Sequence, residues 1–274
     1  MRSQIATRLA RTAKEWTELF RQYNSGTYNN QWMVLDYKRF SPGLPLPNRG
    51  LLYVLETLPG VVVSKDMTPV LKEQRYWPSY NTPYFPLIYN LSGYPEEVRK
   101  SGDVFSYENC PRAKIFRRDS GAANDMVSLK RLMRYNDFKH DPLSKCDCSP
   151  PYSSEYSISA RNDLNLRTGK YPLEILGFRC HGGTDMKATN AHLVDSLRFM
   201  SVVGPTNDQQ PSFNWSTSPC RDVTKHSGQP EAFNFKPVTY RWRLHDAQTG
   251  RDAELRSNIE RDTWALRFKG SLFD

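Results

Sequence analysis

YNSGTYNNQWMVLDY, residues 23–37, sets a cluster of short amides directly against an alternating apolar run. Asn24, Asn29, Asn30 and Gln31 gather around a glycine turn, and the alternation over residues 31–40 predicts a strand. Carboxamides at a strand mouth can orient a substrate carbonyl or hold a turn, but they are not nucleophiles. Any catalysis therefore needs a group this stretch does not supply. On its N-terminal side, residues 4–22 predict one amphipathic helix, with Ile5, Leu9, Trp16, Leu19 and Phe20 on one side. Arg8, Arg11, Lys14 and Arg21 fall mostly on the other, and Asn24-Ser25-Gly26 ends it. On its C-terminal side, residues 49–57 and 61–64 flank a Leu-Pro-Gly turn and predict two more strands.

Further along, the pattern predicts helices over residues 66–74, 125–135 and 189–203. Residues 76–120 are aromatic and turn-rich and read as strand-like, including 113–117. Residues 139–172 form a long loop region held by local turns. Residues 1–242 make one body. The remaining 243–274 change character, with six acidic and six basic residues, and read as a polar tail. Helices and strands mix with no regular βαβ alternation, which indicates an α+β fold.

Composition narrows the classes of function. The chain has 274 residues and a formal charge of +9, spread along its length. No basic stripe or recognisable module marks a nucleic-acid binder, so nucleic acid is not an expected partner. No apolar run approaches the roughly 18–20 residues of a transmembrane helix. The basic N-terminus lacks the apolar core of a secretory signal; it resembles an Arg-rich transit peptide in composition, yet runs on unbroken into TELFRQYNSG. Cys110, Cys146, Cys148, Cys180 and Cys220 lack the two ligand pairs of a tetrahedral zinc site, and the five histidines form no metal-binding spacing, so no metal or cofactor is expected. Cys146 and Cys148 form a C-x-C pair that either closes a tight local disulfide or remains as two thiols. An odd cysteine count leaves at least one without a partner within the chain. Asn90-Leu91-Ser92 and Asn214-Trp215-Ser216 are candidate glycosylation sequons.

Few residues carry chemistry on their own. His181-Gly182-Gly183 resembles the oxyanion loop of esterases, but no G-x-S-x-G nucleophile elbow accompanies it, so it reads as a turn with a surface histidine. Arg112, and Arg117 at the end of a predicted strand, can each place a guanidinium at a pocket wall. Asn81, after the Pro-bent segment YWPSY, can offer its amide to a tetrahedral oxyanion or simply make a turn.

Taken in order, NSGTYNNQWMVLDY, YWPSYNTPYF, LSGYP, PRAKIFRRD, MRYNDFKHDPLS, ISARNDLN and HGGTDMK are similar to the phospholipase B-like family, over about residues 4–242. The resemblance implies an N-terminal nucleophile (Ntn) hydrolase fold, a four-layer αββα sandwich of which this chain is the C-terminal part. It implies a lysosomal or secreted glycoprotein that cleaves acyl ester or amide bonds, with phospholipids as substrate. The nucleophile would be a cysteine freed at a new N-terminus, carried by the N-terminal portion of the same precursor, which is thus the expected partner. This chain alone would be inactive. By the same resemblance Asn81 completes the oxyanion hole, Arg112 (or else Arg117) is the pocket arginine, and Asn29 and Asn30 support the pocket. The family usually has C-x-x-C where this chain has Cys146-Asp147-Cys148, and the tail has no counterpart in it. The alternative is a non-catalytic lysosomal glycoprotein that binds lipid or a protein partner.

Overall fold

In the computed structural model, which describes residues 1–241, the chain divides into two units, Met1–Lys114 and a second beginning at Ile115. The expected tail, 243–274, lies outside the described residues.

The first unit begins with two helices, α1 (Arg2–Leu9) and α2 (Ala13–Arg21), where the apolar spacing predicts one. The break comes from a capping motif. Thr12 is extended and its hydroxyl accepts from the Glu15 N–H, while the Glu15 carboxylate accepts from the Arg11 N–H at 2.8 Å. A side chain that satisfies the orphan donors of a new first turn makes a fresh start better than continuation.

Strands β1 (Gln31–Leu35), β2 (Leu52–Leu58) and β3 (Val61–Asp66) form an antiparallel sheet with β2 in the centre. Both sheet faces are covered. Trp32, Val34, Leu55 and Val62 point towards Ala6, Trp16 and Phe20 of the first two helices. Met33, Leu52, Val54, Val61 and Val63 form the opposite face. Against that face pack α3 (Thr68–Gln74) and α4 (Pro86–Leu91), through Val70, Leu71 and Ile88, together with Phe85.

The strand-like reading of residues 76–120 is wrong. This region carries α4, α5 (Tyr94–Ser101) and α6 (Pro111–Asp119), so residues 113–117 are helical. Each of these helices has proline in its first turn (Pro86, Pro95 and Pro111). Proline there lacks only an N–H that would be orphaned anyway, so it starts helices as well as turns.

In the second unit α7 (Met126–Met133) lies within the predicted helix, capped by a reciprocal Asp125–Ser128 box. It packs Met126 and Met133 against Met186, Ala188, Met200 and Val202. A second antiparallel sheet follows the order β4 (Met186–Ala188), β5 (Arg198–Val202), β6 (Val238–Arg241). The predicted helix over 189–203 is mostly absent. Only α8 (Ala191–Val194) forms; Leu197 takes a left-handed φ of 51°, and the chain becomes β5. Alternation of Met200 and Val202 onto the apolar cluster wins over the helical spacing.

Residues 139–172 contain no α-helix or strand, as expected, but more than local turns holds them. Arg161, 1 % exposed, makes a bidentate pair with Asp163 and donates to the carbonyls of Thr206 and Pro211 at 2.6 and 3.0 Å. Ser154 and Asn165 are buried in the same network. Disulfides join Cys146 to Cys148 and, unforeseen in the sequence, Cys180 to Cys220. Mixed helices and small antiparallel sheets make the described residues α+β.

Candidate functional site

The amide cluster and the Pro-bent segment meet in the first unit. A cleft of about 310 Å³ is lined by Asn29, Asn30 and Gln31 before and on β1, by Glu56 and Thr57 on β2, and by Asn81 and Tyr94, among others. Gly26 shapes its approach. Its φ is +68°, and a Cβ there would sit 3.0 Å from the Pro59 backbone, so the turn requires glycine. Asn29 donates its side-chain amide to the Gly26 carbonyl; the Asn30 N–H donates to the Thr57 hydroxyl, and the Asn30 carbonyl accepts from the Thr57 N–H.

Asn81 adopts a left-handed φ of 61° and is exposed. Asparagine tolerates that conformation better than most residues. Its carbonyl accepts from the Tyr94 hydroxyl at 2.8 Å, and its side-chain Oδ1 accepts from Arg112 Nη1 at 2.8 Å. Arginine is donor-only, so this contact fixes which end of the carboxamide faces it. The Nδ2 donors are then turned away from Arg112, and among the described residues no hydrogen bond occupies them.

The structure thus brings Asn29, Asn30 and Asn81 to one cleft and sets Arg112 on Asn81. Arg117 is exposed on the last turn of α6, within the second unit, not at a strand end. Five residues on an α-helix is about 140° of rotation, so Arg112 and Arg117 leave the helix in different directions.

Two cleft residues escaped the sequence reading in their roles. Gln31 and Glu56 are cross-strand partners on β1 and β2, and Gln31 Nε2 donates to Glu56 Oε1 at 2.6 Å. Glu56 is 1 % exposed; burial pushes its carboxyl above the ordinary range, against the lowering effect of its hydrogen bonds. An available signal was its position: in LYVLETL the acid occupies the same face as Leu52 and Val54.

The other candidates separate. Cys110 is the free cysteine; it is buried, and burial pushes its thiol up. Gly182 and Gly183 lie against Ala160 and Ser159, where a Cβ would collide, so close backbone packing accounts for them. His181 itself is exposed. Asn90 is exposed on α4 beside a second, aromatic cleft lined by Tyr84, Phe85, Tyr89 and Tyr107. The half-buried Asn214 accepts from Ser216 through its Oδ1. Among the described residues no cluster of three or more His, Cys, Asp or Glu could hold a metal, and no helix is long and apolar enough to cross a membrane.

Comparison with known proteins places the chain in a class. The profile of the family described as Phospholipase B matches residues 1–240, and the chain belongs to that family. It is 50 % identical over 243 residues to phospholipase B-like 2 of Bos taurus, covering 88 % of this chain and 41 % of that protein. Over 247 residues it is 48 % identical to phospholipase B-like 1 of Caenorhabditis elegans, covering 89 % and 43 %. Phospholipase B-like protein B of Dictyostelium discoideum is 40 % identical over 240 residues, covering 88 % and 40 %. The chain therefore spans about two-fifths of the length of the curated relatives it matches.

Proposed function

We propose that this chain forms the oxyanion-binding wall of a phospholipase B-like acyl hydrolase. The substrate is an acylated lipid, with an ester or amide at the scissile bond. Asn81 Nδ2 donates to the substrate carbonyl oxygen as it becomes an oxyanion, and Arg112 holds the carboxamide in that orientation. Asn29 and Asn30 support the cleft beside it. A cysteine at a processed N-terminus, on the precursor portion outside this chain, acts as nucleophile with its own α-amino group as base. The complete fold is then the Ntn αββα sandwich. The protein resides in the lysosome lumen or is secreted, with glycans on Asn90 and Asn214.

The observation that carries this reading is the 2.8 Å contact between Arg112 and Asn81 Oδ1, which leaves the amide donors of a cleft residue available. The test uses the intact protein. Asn81→Gly permits the left-handed backbone and removes the carboxamide together with its contact to Arg112; its kcat should fall by about 10²–10³-fold, the usual loss for one oxyanion donor. Unchanged turnover of an acyl ester substrate by Asn81→Gly would exclude the role. The isolated chain should show no turnover, because its free thiol, Cys110, is buried and raised in pKa. Full hydrolase activity from the isolated chain would contradict the two-portion reading.

A further inference from the structure

Residues 77–85 form a nine-residue strap with Asn81 at its midpoint, and both ends of the strap are tied to the same cross-strand pair. At the leading end Trp77 Nε1 donates to Gln31 Oε1 at 3.2 Å. At the trailing end the backbone N–H groups of Tyr84 and Phe85 donate to Glu56 Oε1 and Oε2 at 2.6 and 3.0 Å. Gln31 and Glu56 are joined to each other at 2.6 Å and stand opposite one another in the β1–β2 register. A continuous relay therefore runs from Trp77 through Gln31 and Glu56 to the two amides before Pro86.

The chemistry of position 56 is specific. Three donors converge on one carboxyl group, and an acid, unlike an amide, presents an acceptor oxygen on each side. A glutamine there has one acceptor oxygen, and its NH₂ group would face a backbone N–H or the Gln31 amide. No ion pair joins Glu56 to a cation among the described residues, so these three donors are what satisfies the buried carboxyl. The ordinary solution for an apolar strand face, another leucine or valine, would leave the Tyr84 and Phe85 N–H groups without acceptors.

We propose that Glu56 is a positioning residue: through Gln31 and the Tyr84–Phe85 amides it fixes the strap that holds Asn81 at the cleft. The catalytic part of this inference rests on the hydrolase reading above; the structural part does not. Asn81 is secured on its side chain by Arg112 and on its carbonyl by Tyr94, and Glu56 sets the path of the backbone between them.

The test compares Glu56→Gln with Val54→Ala, a core truncation two residues away on the same strand face, in the intact protein. Segment-resolved hydrogen exchange is read over residues 79–86, and turnover is read on an acyl ester. Glu56→Gln should speed exchange in that segment by about tenfold or more, because local opening no longer breaks the tethers. Val54→Ala should lower the melting temperature without that local change. If the hydrolase reading holds, Glu56→Gln should also reduce kcat by about 10²-fold, the scale expected for a misplaced catalytic group. Gln31→Met, which cuts the Trp77 tie and leaves the Glu56 backbone bonds, should speed exchange mainly over 76–80, and it carries the test if Glu56→Gln does not fold. Equal exchange over 79–86 in Glu56→Gln and Val54→Ala, or no change over 76–80 in Gln31→Met, overturns the positioning role. Faster exchange over 79–86 in Glu56→Gln, with no acyl ester turnover by the intact wild-type protein, supports the tether while rejecting the hydrolase reading.

Discussion

Residues 1–114 are organised around helices and a three-stranded sheet, and apolar clusters cover both faces of that sheet. From Ile115 to Arg241 the order rests much more on side chains bonding to backbone. Arg161, Asn136, Asn162, Ser153 and Ser154 are all buried and all reach main-chain carbonyls. Two disulfides lie in that unit and none in the first. The difference shows two sources of uniqueness within one chain. An apolar face tolerates conservative exchange and loses stability in proportion to the volume removed. A buried polar network fails at single members, because each loss leaves donors or acceptors with no water to replace the partner.

That contrast can be broken most directly at Arg161. Arg161→Met removes two bonds to Asp163 and two to carbonyls, leaving a nearly buried carboxylate. Urea denaturation should show a loss of about 3–5 kcal/mol; a loss under about 1 kcal/mol would mean the network is not what orders the second unit. Next in size is Leu55→Ala, which empties a site against Trp16 and Phe20 in the first unit. It should cost about 3 kcal/mol, with the fold retained. Thr12→Ala removes the cap that splits α1 from α2 and should cost about 1 kcal/mol by thermal melting.

The smallest effect is a pH dependence in the second unit. Burial raises the Asp141 carboxyl, but its hydrogen bonds to Arg118 and Tyr135 outweigh that and hold it below the usual range. A folded-state value below the unfolded one stabilises at pH above the unfolded pKa of about 3.9, and this stability disappears as pH falls through the folded value. Asp141→Asn should therefore flatten the acid limb of a stability–pH curve and leave its slope above about pH 6 unchanged.

The same contrast governs what the sequence disclosed. Strands β1, β2 and β3 were legible because their apolar residues alternate, and α7 was legible from its spacing and its Asp125 cap. The helices α4 to α6 were not, since prolines and tyrosines that start them also punctuate turns. At the cleft, Asn29, Asn30, Asn81 and Arg112 entered as candidates, but the bond between Asn81 and Arg112 spans 31 residues and has no local signal. Glu56 was not singled out although an acid on an apolar face is a signal, and its donors come from a loop whose path no periodicity encodes. The second unit was least legible, because hydrogen bonds such as Arg161 to Thr206 join residues 45 apart without repeating along the chain.

The state of the five cysteines has a practical consequence. Four are locked in pairs and Cys110 is buried with a reluctant thiol, so this chain is nearly silent to electrophilic labels applied under native conditions. A maleimide or iodoacetamide signal from the native, non-reduced protein would then come from sulfur outside these residues. That silence makes the chain a clean background against which a reactive cysteine in an associated portion can be counted.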